Sequence, residues 1–387
     1  LVATGREDPV AVAGLRQRLG RSGRREGEPS VLRIYVREPD RPAEDDPFER
    51  LRLELVQAVA AENILVSKWV EPGGIQGLHL STLLHQTLAL ICERGGARAK
   101  DMFRLLCGPG PFAQVSEQDY AALLRAMSDA KIIEQSPDGI LMLGSLGETI
   151  TNRFDFYAVF MTDDEYRIVT DQRTLGTVPI FNPLRQGDFL TFAGRRWIVL
   201  SIDDRAKVVM VKPAPAGRVP LFPAQEGIPL HDRLVQEMRG IYRSETSYPF
   251  LDLIGKTLLQ EARDAYRDLG LDSRQLLNVG DNIYLFVWRG TKATETVRLA
   301  LASQDIRTEA YSVGLHAKYC ELEKFSSALH RILQYPPTAH DVAAFAEPLR
   351  RQKYDIHLPD PMLRDAFART RVDLSVLEAT NSLPPAV

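Results

Sequence analysis

Apolar positions along the chain follow two rhythms, and the switches between them mark its elements. Residues 47–65 carry Phe48, Leu51, Leu55 and Val59 at steps of three and four, which predicts an amphipathic helix. Residues 78–150 hold three further helical stretches. Ser81 and Thr82 offer an N-cap for an apolar helix running to Ile91, and a short helix follows around residues 100–106. Ser116, with Asp119 three residues on, resembles a capping box before Tyr120-Ala121-Ala122-Leu123-Leu124. Ile132-Ile133 and Ile140-Leu141-Met142-Leu143 then flank Ser136-Pro137-Asp138-Gly139, which predicts a hairpin with an Asp-Gly turn. Three helices followed by a hairpin make the pattern of a winged helix.

From 156 to 220 the period falls to two. Short alternating runs appear at Tyr166-Arg167-Ile168-Val169, Thr177-Val178-Pro179-Ile180-Phe181, Phe189-Leu190-Thr191-Phe192, Trp197-Ile198-Val199-Leu200-Ser201-Ile202 and Val208-Val209-Met210-Val211. Strands this short, with turns at near-regular spacing, predict a small antiparallel barrel. Residues 228–270 look helical. Residues 282–335 read strand, helix, strand, helix, a small α+β unit. Beyond Tyr335 lies a tail rich in proline and charge, with one helix near 340–350. At the other end, a short helix over residues 10–19 leads into a loop of glycine and arginine. Then comes Val31-Leu32-Arg33-Ile34-Tyr35-Val36, whose alternation and β-branched content predict a strand. Residues 39–46 read as a linker.

Composition sharpens this picture a little. At 387 residues the chain has room for two to four domains. A net charge of −3, from 48 basic and 51 acidic side chains, argues against a chain-wide nucleic-acid footprint, so any such contact must be local. Cys92, Cys107 and Cys320 are far apart and form no CxxC pair. No signal peptide is visible, and no apolar run reaches the roughly 18 residues needed to span a bilayer. A reducing, cytoplasmic setting without a membrane partner is expected. The seven histidines show no ligand spacing, so no metal site is predicted. The chain opens on Leu1, without a recognisable domain start, and reads as a piece of a longer one.

The chemistry is concentrated in Gln17-Arg18-Leu19-Gly20-Arg21-Ser22-Gly23-Arg24-Arg25, which matches QxxGRxGR. Phosphoryl transfer needs positive charge on the γ-phosphate as charge redistributes. A guanidinium delivers it through a rigid planar fork. Gly20 and Gly23 let a tight loop approach a partner closely. The alternative reading is a basic loop that happens to contain glycines.

The pattern resembles motif VI of the superfamily-2 (DEAD/DEAH-box) helicases. Asp45-Asp46-Pro47-Phe48-Glu49-Arg50-Leu51-Arg52 and Trp69-Val70-Glu71-Pro72 resemble the segment that follows in helicases of the large helicase-related (Lhr) type. Gly194-Arg195-Arg196-Trp197-Ile198-Val199, Val211-Lys212-Pro213-Ala214-Pro215-Ala216-Gly217 and Pro220-Leu221-Phe222 resemble that family's barrel region. The likeness covers residues 1 to about 240 and weakens around Leu285-Phe286-Val287-Trp288-Arg289-Gly290. It implies that Arg21 and Arg24 reach across a cleft between two RecA-like lobes, one touching the γ-phosphate and the other acting as an arginine finger. Gln17 would couple nucleotide state to closure. The implied cofactors are ATP and Mg2+. The implied partners are a missing N-terminal RecA-like lobe and single-stranded, forked or hybrid nucleic acid, in DNA repair. The chain departs from the family in having neither GxxxxGK[ST] nor a DExH box, so alone it is not expected to hydrolyse ATP.

Nucleic-acid contact has two candidate places. The third helix of residues 78–150 carries Glu117, Asp119 and Asp129 against Arg125, and such a helix is repelled by phosphates. That points to a structural platform rather than a reader of bases. Trp197, preceded by Arg195 and Arg196, either stacks on a base while the arginines hold the backbone or packs in a core with its indole N–H satisfied. The resemblance associates this position with gripping the tracking strand. Trp69 and Trp288 are expected to be packing anchors.

The expected fold class is multidomain α+β. Residues 1–44 would end a second RecA-like lobe, 45–77 form a connecting helix and linker, and 78–150 a winged helix. Residues 151–222 would form a β-barrel, 223–335 a helical and α+β unit, and 336–387 a tail. The expected activity is that of an ATP-dependent helicase. The alternative is a non-enzymatic winged-helix and barrel module that binds nucleic acid.

Overall fold

A computed structural model describes residues 11–378 apart from 22, 24–26, 28, 41, 45, 74–76, 160–164, 172, 180–188, 193–194, 204–205, 215–228 and 348. The protein is mixed α+β, with 13 α-helices and three small sheets among the described residues. It divides into two compact units. One comprises residues 1–153 with 228–387, the other residues 154–227.

The first unit opens with α1 (Val12–Leu19). Residues 31–36, expected as a strand, alternate in burial but join no sheet among the described residues. Leu32, Ile34 and Val36 pack against the core, while Val31, Arg33 and Tyr35 face solvent. No hydrogen bond joins the backbone of residues 32–36 to another described residue. The alternation was legible because it reports one buried side; a pairing partner is a separate matter.

The single helix expected over 47–65 is broken into α2 (Pro47–Arg50) and α3 (Leu53–Val66). Asp46 caps α2, accepting from the Phe48 and Glu49 amides. The break lies at Leu51 and Arg52, where Arg52 adopts a left-handed φ of 49°. Tertiary bonds offset that strain. The Leu51 carbonyl accepts from the Tyr242 hydroxyl at 2.7 Å. The buried Arg52 guanidinium donates to the Pro39 carbonyl and, at 2.8 Å, to Glu261.

Next come α4 (Leu80–Arg94), α5 (Ala99–Leu106) and α6 (Glu117–Asp129), then the hairpin β1 (Ile133–Gln135) and β2 (Leu141–Leu143), then α7 (Ser145–Thr151). The capping box at Ser116 and Asp119 forms as expected. The cap expected at Ser81 does not. The N-cap of α4 is His79, left-handed and without a side-chain bond. Ser81 is buried, and its hydroxyl accepts the Tyr354 amide at 3.0 Å.

The second unit contains β3 (Glu165–Val169), β4 (Thr174–Pro179), β5 (Phe189–Phe192), β6 (Arg195–Asp203) and β7 (Val208–Pro213). The five strand runs were legible from their alternation. The barrel was not correct: the sheet has the order β4-β3-β7-β6-β5, and β3 runs parallel to β7. Closure needs the two edge strands to pair, and among the described residues β4 and β5 do not. Alternation reveals that a strand is half-buried, not which strand lies beside it.

The chain then returns to the first unit through α8 (Asp232–Arg243), α9 (Leu253–Asp268), β8 (Leu276–Val279), β9 (Asn282–Phe286), α10 (Thr291–Ala302), β10 (Glu309–Tyr311), β11 (Gly314–Lys318) and α11 (Leu322–Gln334). The sheet has the order β10-β11-β9-β8 and is antiparallel throughout. Strand β9 is buried on both faces. Ile283 and Leu285 meet the core under α10 and α11, while Tyr284 and Phe286 meet the core around α3. That second core is the largest among the described residues and gathers Val12, Leu15, Phe48, Leu55, Val59, Met238, Tyr242, Tyr266 and Trp288. Helix α3, expected as a connector, lies at its centre, between α1, α8 and α9.

The expected tail is ordered across α12 (Ala339–Ala343) and α13 (Asp360–Arg371). It packs on the α4–α6 helices: Tyr354 stacks on His85, and Arg369 donates to both Asp119 oxygens.

Two outcomes follow from this packing. Phe48 is 2% exposed and contacts the rings of Tyr284, Phe286 and Tyr311. Phe48→Ala is expected to destabilise the first unit by about 3–5 kcal/mol in denaturant unfolding; a loss under about 1 kcal/mol would contradict an anchoring role. Burial pushes the Asp119 carboxyl up, but the Ser116 amide and hydroxyl and the Arg369 guanidinium outweigh it and hold it below the ordinary aspartate range. Its contribution is therefore complete above the unfolded value of about 3.9 and is lost as pH falls through the lowered folded value. Acidification through that window is expected to speed amide exchange at the start of α6 in the wild type and to have less effect in Asp119→Asn. Identical pH dependence in both proteins would refute the link.

Candidate functional site

The arginine motif begins on α1. Its residues Val12 and Leu15 lie three apart and are buried against α3. Ala11 at the N-cap has no side-chain oxygen, and the first turn contains no acidic residue. The two leading amides are satisfied from far along the chain. Val12 N–H donates to Glu71 Oε1 at 2.8 Å, and Ala13 N–H donates to Glu71 Oε2 at 2.7 Å. Nothing local in the sequence marks Glu71 for this job.

The other end of α1 closes through Gly20 N–H to the Arg16 carbonyl and Arg21 N–H to the Arg18 carbonyl, both at 3.0 Å. Gly23 follows with φ +61°, and a Cβ there would lie 2.7 Å from the Ser30 amide nitrogen. Only glycine fits that position. The close approach served by Gly23 is thus internal, with the loop folding back on Pro29 and Ser30. Gly20 has a right-handed φ of −66° and no such crowding.

Gln17 lies on α1, and Arg21 lies in the turn just beyond its last residue, Leu19. Both are exposed, and Gln17 falls on the side of α1 away from Val12 and Leu15. Neither has a hydrogen bond or ion pair with another described residue. A guanidinium and an amide near a helix end suit a polyphosphate oxygen: the guanidinium supplies planar charge, and the amide N–H supplies a donor. Arg24 lies outside the described residues.

The other expected contacts are distributed differently. Trp197 is 5% exposed and packs with Tyr166, Ile168, Val199, Val209 and Val211 in the core of the second unit. In this conformation the side chain is packed as a core residue. The backbone of Arg195 and Arg196 belongs to β6, paired with Phe192 and Thr191; their side chains lie outside the described residues. Trp288 is buried in an aromatic cluster with Tyr242, Tyr266 and Phe286. Trp69 is half-buried against His231, with Arg233 over its ring. On α6 the exposed residues include Glu117 and Asp129, with Arg125 as the exposed cation, and Asp119 is held by Arg369. No group of three or more His, Cys, Asp or Glu side chains among the described residues is arranged to hold a metal ion. No helix among them is long and apolar enough to cross a membrane.

Comparison with protein-family models, with curated proteins and with solved structures finds no match.

The burial of Trp197 predicts a stability effect. Trp197→Ala is expected to destabilise the sheet of residues 154–227 by about 3–5 kcal/mol, read by amide exchange of β6 and β7. Unchanged exchange, together with weakened single-stranded DNA binding, would instead assign the ring to nucleic acid.

Proposed function

We propose that the chain is the C-terminal part of an ATP-dependent helicase or translocase of the large helicase-related type, working on single-stranded, forked or hybrid nucleic acid in repair. The observation that carries this reading is the row formed by Gln17 and Arg21. Inside the QxxGRxGR pattern, a cation and an amide are exposed, with no partner among the described residues. The opposite side of the same helix is pinned to the largest core. That combination suits a group built to meet a ligand held by a neighbour.

Bound ATP would supply the γ-phosphoryl group and the free energy for movement. Arg21, with Arg24 three residues on, would place positive charge beside the transferring phosphoryl oxygens. Gln17 would report their presence to α1. The phosphate loop and magnesium ligands are assigned to an upstream lobe, because neither GxxxxGK[ST] nor DExH occurs in this chain. Residues 32–36 support that assignment. They have one buried side and an unpaired backbone, as a strand does when its neighbours belong elsewhere.

We read residues 78–150 as a winged helix serving as a platform. Its α6 presents acidic side chains and is held at Asp119 by α13, which disfavours base reading. The runner-up, a non-enzymatic binding module, needs an exposed gripping surface, and the buried Trp197 weighs against it.

The test uses the longer protein, including the upstream lobe. DNA-stimulated ATP hydrolysis is expected to fall by roughly 10³-fold or more in Arg21→Ala and in Arg24→Ala. Wild-type rates in both would end the reading.

A further inference from the structure

Gln17 stands on α1, and Arg21 follows directly after it; that helix cannot hold itself. Helix α1 has eight residues, well below the length at which an isolated helix persists in water. It has two fully buried anchors, Val12 and Leu15, and one of them sits in the first turn. A frayed first turn would release Val12 from the core and free α1 to rotate about Leu15. The functional row would rotate with it.

What holds that turn is the Glu71 carboxylate. Each oxygen takes one of the two leading amides, and its charge lies at the positive end of the helix dipole. Glu71 is itself fixed from behind. Trp69 and Val70 pack against the largest core, and Pro72 restricts the backbone after it. Seven residues beyond Pro72, His79 begins α4. The carboxylate is therefore a bracket between the arginine helix and the segment entering the α4–α7 helices.

We propose that Glu71 is a positioning residue for the nucleotide-contacting row: by clamping the first turn of α1 it sets the rotation of Gln17 and Arg21. This rests on the reading of that row given under Proposed function. Glu71 touches no reacting atom. Its effect is orientational and belongs to the chemical step. A misplacement of about 1 Å can cost about 10²-fold in rate, and an interaction realised in the transition state changes kcat with little change in KM.

The experiment compares wild type, Glu71→Ala, Glu71→Gln, Arg21→Ala and Phe48→Ala in the longer protein. Its readouts are amide exchange of α1, together with kcat and KM for DNA-stimulated ATP hydrolysis per folded molecule. Glu71→Ala is expected to speed exchange at Val12 and Ala13 about fivefold, the effect of losing one cap. It should also lower kcat by tenfold or more, leaving KM for ATP within about twofold. Glu71→Gln keeps one acceptor oxygen and should fall between. Phe48→Ala weakens the core without touching the cap and should keep kcat per folded molecule. Three results would overturn the proposal. In the first, Glu71→Ala keeps wild-type kcat while Arg21→Ala loses it, so the row matters but Glu71 does not set it. In the second, Phe48→Ala lowers kcat as much as Glu71→Ala, so general loosening explains the loss. In the third, Arg21→Ala keeps full activity, so the nucleotide reading fails and takes the positioning role with it, whatever the exchange data say about the cap.

Discussion

Burial of α3 organises the first unit. Leu55, Val56, Val59, Ala60, Ala61 and Ile64 are all buried, and they cover too much of the circumference for a surface helix. Such a helix must be enclosed, and the enclosing elements come from distant parts of the chain: α1 before it, α8 and α9 nearly 200 residues after it. Small residues at 60 and 61 allow close approach, and the aromatic cluster of Tyr242, Tyr266, Phe286 and Trp288 fills the remaining space. One consequence is the break at Arg52. The chain must turn there to bring Phe48 under the sheet while α3 enters the core, and the bonds of Leu51 and Arg52 to Tyr242, Pro39 and Glu261 hold the turn.

The position of the arginine motif follows from that core. Val12 and Leu15 can be buried only where α3 offers a surface, so the outward side of α1 is determined by its inward side. Gln17 falls outward by helical geometry, and Arg21 is exposed in the turn that follows. Arg21 has no ion pair with another described residue, whereas Arg52 pairs with Glu261, Arg289 with Asp232 and Asp373, and Arg369 with Asp119. On the proposed reading, those three cations build the fold and Arg21 is left for a ligand.

Local signals were legible in the sequence, and relations between distant segments were not. Helical spacing located α3, α4 and α6, and alternation located β3 to β7, because burial on one side leaves a period in the residues themselves. The Ser116–Asp119 box was readable because both partners lie within four residues. Ser81 was misleading because its hydroxyl serves a backbone amide at Tyr354, 273 positions away. Strands β8 and β11 are short; the Gly280-Asp281 turn between β8 and β9 was a signal that went unread, while the turn between β10 and β11 has no such signature. The barrel was an overreach, since parallel pairing of β3 with β7 leaves no trace in alternation. At the candidate site, the pattern around Gln17 and Arg21 was visible, but the clamp by Glu71 was not. A carboxylate 58 and 59 residues from its donors has no periodicity to betray it.

The central claim is that the row of Gln17 and Arg21 meets a triphosphate presented by another lobe. The most direct measurement is a structure of the longer protein bound to ADP, aluminium fluoride and magnesium. The account predicts the Arg21 guanidinium within hydrogen-bonding distance of the fluoride that mimics the γ-phosphoryl group, with Gln17 on the same side and residues 32–36 paired into a sheet. Arg21 directed into bulk solvent, with those residues still unpaired and the nucleotide bound elsewhere, would contradict it.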